Sequence, residues 1–492
     1  MERYKRIIQI EKALEDRALV WFGPRGSDAL GLGMFTNFLG GSFSLYDKHF
    51  EFDEFSDGKF FVALEDLTLK RRLSRTFDED PDSRAGELRF RKRLEECFKS
   101  IHVNGKTPTV ISYEPHPAVD VVVMQDGLTD ALGADIHLFR RMSTKPLVEK
   151  ELRKLGVPVI PWNPVSSFTQ VLEMREANGG LIVRRDGGSS GKGIVAFRES
   201  DDEQVLGMQI REMLASHAAA VSFAPLFENA VSLNASAVVF PGSKEGNSKI
   251  STFPINAQLV GQPELTELEF GYSGNDFAFT GGLDNKILLQ CDDILHKVGN
   301  YLASTGFVGA YGVDYLLTQD GQVLFTEVNA RFQGSTRLLS RIAGRAGESD
   351  VLMEHLAATL GLPFKKGLTA DQWTDAISPF SQMYIHNGTG EPVYLKEQSE
   401  TDAKDKKRNK PVANNVSFEM TPQSGGISIE PGALIERLVV RGGVLSSDGR
   451  TLRDSAKQHF QPFASRYVTD SQLVQSAGVD LCGLGRDFGF AE

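Results

Sequence analysis

The stretch "GAYGVDYLLTQDGQVLFTEVNARFQG", residues 309–334, constrains the fold of this chain more than any other. Two apolar runs flank Gln319-Asp320-Gly321, and an Asp-Gly turn between alternating strands predicts a β-hairpin. A strand sends residues i, i+2 and i+4 to one face, so Glu327, Asn329 and Arg331 converge. The turn brings Asp314, 13 residues before Glu327, alongside them. Two carboxylates and an amide oxygen are hard donors that suit Mg²⁺, with water and ligand phosphates completing the octahedra. Arg331 is then placed to neutralise phosphate charge that the metal leaves exposed. Taken alone, the hairpin also fits an exposed polar strand face.

The rest of the chain sets the frame. Its 492 residues exceed one ordinary core, which predicts two or three domains. With 41% hydrophobic and 24% charged residues it reads as an ordinary globular chain. A net charge of −11 repels a phosphate backbone, which argues against nucleic-acid affinity but not against one small anion held locally. The three cysteines, Cys97, Cys291 and Cys482, are far apart and suggest neither a disulfide framework nor a zinc site. No run approaches the roughly 18 apolar residues of a membrane span, and the N-terminus carries no leader-like apolar stretch. The expected setting is therefore the cytoplasm, with no membrane partner. The sequons at Asn234, Asn387 and Asn415 carry correspondingly little weight.

Along the chain, Ile7, Ile8, Ile10 and Leu14 predict a helix, and "ALVWFG", residues 18–23, a buried strand. "VDVVVMQDG", residues 119–127, reads as a second buried strand, with surface helix in the charged stretch between. Together they suggest an open α/β domain over 1–142. From Thr144, "TKPLVEKELRKLGVPVIPW" predicts a helix stopped at Gly156, and "GLIVRRDGG" a strand leading into a Gly/Ser loop. Residues 395–411 are charge-rich and read as a solvated loop, ahead of a small β-rich region. The domain reading is 1–142, 143–365 and 366–492.

Two further stretches bear on chemistry. In "VRRDGGSSGKGI", residues 183–194, four glycines let the backbone approach an anion, and Ser189 and Ser190 add hydroxyls. It fails as a Walker A loop, because no glycine precedes Gly191 by four intervening residues and Gly193 follows Lys192. A flexible turn is the other reading. Lys145 at the start of its helix and Arg184 at a strand end read singly as surface charges. Combined with the loop and the hairpin, they are parts able to hold a triphosphate from several sides.

In that order, "STKPLVEKELRKLGVPVI", "LIVRRDGGSSGKGI" and "GVDYLLTQDGQVLFTEVNARFQGST" resemble the motifs of ATP-grasp enzymes over about residues 110–340. The layout resembles the amino-acid and peptide ligases of natural-product biosynthesis, the pheganomycin peptide ligase type in particular. The resemblance implies an α/β ATP-grasp fold with a preceding open α/β domain and a small β-rich C-terminal region. It implies that Lys145 and Arg184 contact ATP phosphates and that Ser189, Ser190 and Gly191 lie in a loop closing over them. Asp314, Glu327 and Asn329 would hold two Mg²⁺ ions, for which Mn²⁺ can substitute, and Arg331 would stabilise the transferring phosphoryl group. Backbone near Ala224 and Leu226 would face adenine, and Gly334, Ser335, Thr336 and Arg337 stand where such ligases bind a substrate carboxylate.

Two departures stand out. Arg184-Arg185 replaces the family's Lys-Pro, although a guanidinium also binds phosphate. Ala224 and Val231 occupy hinge positions usually held by glutamates, leaving Glu228 as a candidate ribose ligand. The implied chemistry joins a carboxylate to an amine through an acyl phosphate, with release of ADP; the partners are small molecules, and a homodimer is compatible. A kinase acting on a small alcohol and a catalytically silent nucleotide-binding module are the competing readings. Specificity is expected in "GPRGSDALG", residues 23–31, and after Gln333, where Arg337 and Arg341 read equally well as a helix surface pair.

Overall fold

The structure is a computed structural model that describes residues 2–38, 41–46, 60–71, 81–185, 193–215, 220–377, 379–395, 416–420, 427–460, 466–469 and 471–472. Its first unit is a five-stranded parallel sheet built from β1 (Arg17–Arg25), β2 (Ser42–Tyr46), β3 (Phe61–Ala63), β4 (Thr107–Ser112) and β5 (Asp130–Leu132), in the order β3-β2-β1-β4-β5. Strand β1 shows why the sheet is covered on both sides. Ala18, Val20 and Phe22 pack on Phe90, Leu94 and Phe98 of the helix Pro81–Val103. Leu19 and Trp21, pointing the other way, meet Leu338, Ile342 and Leu352, from the helices Thr336–Ala346 and Val351–Thr359. The first unit is thus cemented to the second by its own alternation.

One expectation here is corrected. Residues 119–127 are not a strand: Pro117–Asp126 is a helix. Its valines look like a β run, but Val119, Val122 and Val123 fall at i, i+3 and i+4 and turn one stripe into the core. Pro117 suits a first helical turn, and Gly127, at φ +66°, ends it. The strand beside β1 is instead Thr107–Ser112, where Pro108 masks a short run buried at Val110 and Ile111.

The second unit has two sheets. A smaller one joins β6 (Gly180–Arg185), β7 (Ile194–Arg198) and β8 (Val221–Pro225) to an edge pair, Asn163–Pro164, all antiparallel. The larger is a nine-stranded antiparallel sheet. Its main path uses β9 (Val231–Val239), β10 (Asn256–Val260), β11 (Tyr272–Asp276), β12 (Gly309–Leu317), β13 (Val323–Asn329), β14 (Phe380–His386) and β15 (Leu434–Arg441). The order is β13-β12-β9-β10-β11-β14-β15, with Val416–Met420 at the far edge. The 20-residue helix Asn285–Ser304 packs its Leu288, Ile294, Leu295 and Val298 stripe on the sheet's inner residues. Strands β14 and β15 come from beyond residue 366, so this sheet runs across the expected domain boundary. A small sheet of Tyr467–Thr469, Val393–Leu395, Ser428–Ile429 and Lys70–Arg71 ties the C-terminal residues back to the first unit. Most of the charged stretch 395–411 lies outside the described residues.

Candidate functional site

A cavity of about 680 Å³ lies where the two sheets of the second unit face each other and the first unit closes one end. The β12–β13 hairpin forms its floor. In register, Gly312 faces Asn329 and Asp314 faces Glu327, with an irregularity in pairing immediately beyond Asp314. Two carboxylates are therefore set directly across from each other, an arrangement that is unfavourable unless a cation intervenes.

The surroundings of Asp314 confirm how unusual this is. Its Oδ1 accepts from Asn234 Nδ2 at 2.6 Å and Gln258 Nε2 at 3.0 Å, and its Oδ2 accepts from Asn329 Nδ2 at 3.1 Å. Burial, reinforced by the Glu327 charge, pushes its pKa up to about 6 against these amide contacts. Glu327 is more open and pairs with Lys145 Nζ at 3.2 Å. Lys145 is the first residue of the helix Lys145–Lys154 and lines the cavity. Among the described residues no three His, Cys, Asp or Glu side chains gather to hold a metal unaided. The donor set Asp314, Glu327 and Asn329 nevertheless fits a hard divalent ion, whose shell phosphate oxygens and water would complete.

Arg331 follows two residues after Asn329 and is largely buried. Its Nε pairs with Glu114 Oε2 at 3.1 Å, and its NH1 donates to Tyr113 Oη and to the Phe332 carbonyl. The first unit, through Tyr113 and Glu114, thereby orients the Arg331 guanidinium.

Arg184 is placed differently from a loose phosphate binder. It is 3% exposed, its NH2 donates to Glu149 Oε1 at 2.6 Å, and its guanidinium lies 3.9 Å from the Trp162 ring centre. It does line the cavity, yet as one half of a buried ion pair. Burial raises the Glu149 pKa even with Arg184 beside it. Ser189, Ser190 and Gly191 lie outside the described residues.

At the opposite wall Ile160, Ile182, Leu226 and Leu316 form an apolar clamp, with Leu226 N donating to the Gly180 carbonyl. Leu226 and Glu228 line the cavity; Ala224 is fully buried behind it, paired with Ile182 across β8 and β6. Of the four residues after Gln333, Gly334 and Ser335 line the cavity, while Thr336 and Arg337 are not part of its wall. The Thr336 hydroxyl instead accepts from Gln333 N at 3.0 Å and opens the helix Thr336–Ala346.

Sequence reading missed the polar network under the hairpin. Asn256 Nδ2 donates to Asn234 Oδ1, Asn275 Nδ2 to Asn256 Oδ1, and Gln382 Nε2 to Asn275 Oδ1 at 2.6 Å. These residues come from β9, β10, β11 and β14. Their available signal was a lone amide inside an apolar strand, as with Asn234 in "SLNASAVV". Asn234 and Asn387 are 1% and 0% exposed, which removes both as surface sequons. Cys97 and Cys291 are buried as well, and burial pushes both thiols up to about 12, far from a nucleophile's range.

With this geometry in hand, residues 142–335 match the ATP-grasp domain family. No curated protein matches the chain by sequence. Among solved structures, the chain is similar to a biotin carboxylase from Campylobacter jejuni, with 13% identity over 92% of this chain and 91% of that one, at a TM-score of 0.56. The biotin carboxylase domain dimer of the Hydrogenobacter thermophilus 2-oxoglutarate carboxylase, solved with MgADP, ADP and bicarbonate, aligns at 13% identity over 92% and 90%, with a TM-score of 0.57. Carboxyaminoimidazole ribonucleotide synthase from Aspergillus clavatus, solved with ATP, aligns at 15% identity over 92% and 98%, with a TM-score of 0.53. At such identities the likeness establishes the fold: a mixed α/β ATP-grasp fold with one parallel and several antiparallel sheets. No described helix is long and apolar enough to cross a membrane.

Proposed function

We propose that this ATP-grasp chain is an ATP-dependent carboxylate–amine ligase that releases ADP and phosphate by way of an acyl phosphate. The observation that carries this reading is the in-register pair Asp314–Glu327, with Asn329 one pleat along and Lys145 and Arg331 flanking. A fold without catalysis gains nothing from facing carboxylates, which cost stability until a cation arrives.

In this account adenine occupies the apolar clamp at Leu226 and Leu316, with Glu228 near the ribose. Asp314, Glu327 and Asn329 would hold Mg²⁺, which would supply neutralisation of phosphate charge. Lys145, kept at the hairpin by Glu327, meets phosphate oxygens. Arg331, oriented by Glu114 and Tyr113, meets the charge that grows on the phosphoryl group as the substrate carboxylate attacks it, and then the oxyanion formed when the amine displaces phosphate. Positioning and electrostatics carry the rate, since none of these residues becomes covalently modified. The similar folds of a biotin carboxylase and a carboxyaminoimidazole ribonucleotide synthase, the latter solved with ATP, support a nucleotide in this cavity. Amino-acid or peptide substrates, as in the pheganomycin type, are the finer form of the proposal.

ADP and phosphate release, measured with ATP and Mg²⁺ across mixtures of small acids and amines with mass spectrometry on active mixtures, tests it. A product lighter by one water than its two substrates is expected. A phosphorylated alcohol would establish a kinase in its place, and no release with any mixture would leave a silent nucleotide-binding module.

A further inference from the structure

A row of polar side chains crosses the larger sheet on its cavity face. Glu327 faces Asp314, Asp314 faces Asn234, and Asn234 faces Asn256. One pleat along β10, Gln258 faces Asn275, which faces Gln382, and beyond Gln382 the row ends on Val439 of β15. The residues between them, Leu233, Ala235, Ala257 and Leu259, point to the opposite face and pack in the core with the helix Asn285–Ser304. On the cavity face the same strands carry amides at Asn234, Asn256, Gln258, Asn275 and Gln382 instead. Buried amides contribute no more to stability than apolar groups of the same shape, so stability alone gives no reason for the row.

Its hydrogen bonds run one way. An ionised carboxylate only accepts, so Asn234 must turn its Nδ2 to Asp314 Oδ1, at 2.6 Å. That leaves Asn234 Oδ1 to accept from Asn256 Nδ2 at 3.2 Å, Asn256 Oδ1 from Asn275 Nδ2 at 2.7 Å, and Asn275 Oδ1 from Gln382 Nε2 at 2.6 Å. Turning over any one amide sets oxygen against oxygen and nitrogen against nitrogen. At the far end Gln382 Nε2 also donates to the Gly334 carbonyl, while its Oε1 is buried with no partner among the described residues. The row thus leaves one acceptor unmet at Gln382 and presents a fixed donor at Asp314. Asn256 and Gln382 are both 0% exposed and are not part of the cavity wall, so a ligand meets neither.

We infer that Asn256 and Gln382 are positioning residues for the metal site, acting on Asp314 through the amides of Asn275 and Asn234, a role that rests on the reading of Asp314, Glu327 and Asn329 as ligands of a divalent ion. Asp314 Oδ1 accepts from both Asn234 and Gln258, whereas Oδ2 accepts only from Asn329, itself one of the proposed ligands. The row occupies Oδ1 and leaves Oδ2 as the oxygen a cation can take. Partners that hold a metal ligand from behind set its orientation, and their loss costs about 10–100-fold in metal affinity.

Calorimetric titration of ADP into the full chain, with and without Mg²⁺, tests it through the factor by which Mg²⁺ tightens ADP. Asn256→Leu, which cuts the row next to Asn234, should lower that factor about tenfold or more. Gln382→Met, which cuts it further out, should lower it several-fold. The double variant should fall no lower than Asn256→Leu, because the row is already cut. ADP affinity without metal stays within about twofold in all three, since neither residue reaches the cavity, whereas a merely structural role would leave the Mg²⁺ factor at its wild-type value. Should Asn256→Leu fail to fold, Gln382→Met decides alone, because Tyr272 Oη still donates to Asn275 Oδ1 there. The positioning role is overturned by a folded single variant with the wild-type Mg²⁺ factor, by a metal-free ADP affinity that falls as far as the Mg²⁺-dependent one, or by a double variant that loses the product of the two single losses. Those results leave the hairpin standing as the metal site, whereas a wild type whose ADP affinity ignores Mg²⁺ overturns that site and the role of the row with it.

Discussion

The two ends of the cavity solve opposite electrostatic problems. At the hairpin end Asp314 and Glu327 face each other across neighbouring strands, and burial, reinforced by the Glu327 charge, pushes the Asp314 pKa up to about 6. At the Arg25 end two guanidiniums share one carboxylate, Arg25 to Asp28 at 2.8 Å and Arg437 to Asp28 at 3.6 Å, beside the tilted pair Tyr272 and Tyr384. The hairpin end sets two facing carboxylates against the single paired cation Lys145. At the Arg25 end, among the described residues, Ser335 Oγ and Gln382 Oε1 are buried without a hydrogen-bond partner. The contrast separates an end where two carboxylates oppose each other, which the proposed function uses for the metal and phosphates, from an end where two guanidiniums share one carboxylate.

The sharpest way to break the contrast is Glu327→Gln. It removes the repulsion from Asp314 together with the ion pair to Lys145, opposing changes that leave the protein folded, yet turnover with a productive acid and amine should fall on the order of a thousandfold. Unchanged turnover would make the hairpin an ordinary polar face.

Arg184 comes next. As half of a buried pair with Glu149, its replacement by Met should cost about 3–5 kcal/mol of stability in denaturant unfolding. A variant that keeps full stability but loses ATP affinity would instead make Arg184 chiefly a phosphate ligand. A smaller effect is expected from Leu316→Ala in the apolar clamp, which should raise the KM for ATP about tenfold with kcat little changed.

The smallest effect is in pH. Asp314 titrates near 6 when folded and near 3.9 when unfolded, so the folded chain binds the extra proton between those values. Its contribution to stability is present at low pH and is lost as pH rises through about 6 in the metal-free protein. Metal binding needs the charged form, so the apparent affinity for Mg²⁺ with ADP should climb up to about pH 6 and then level off. In Asp314→Asn that dependence should vanish from calorimetric titrations.

Legibility in the sequence follows sequence distance. Asp314, Glu327, Asn329 and Arg331 lie within one hairpin, and strand period plus an Asp-Gly turn suffice to bring them together. Lys145 was legible as a helix start; its contact with Glu327, 182 positions away, needed the fold. The Arg25 end is drawn from residues 25, 113, 272, 335 and 384, which no local period connects. The valines of 119–127 misled because β-branched residues suit both a strand and a helix stripe, and only packing against the helix Pro81–Val103 decides between them. Arg184 was legible as a cation at a strand end but read singly as a surface charge; its burial against Glu149, hidden in a charged helix where nothing distinguished it from Glu151, needed the fold.

The most direct test of the account is calorimetric titration of ADP into the wild type and Asp314→Asn, each with and without Mg²⁺. Asp314 and Glu327 as metal ligands predict tight, Mg²⁺-dependent ADP binding in the wild type and weak, Mg²⁺-independent binding in the variant. Binding of equal strength and equal Mg²⁺ dependence in both proteins would contradict the assignment of the hairpin as the metal site.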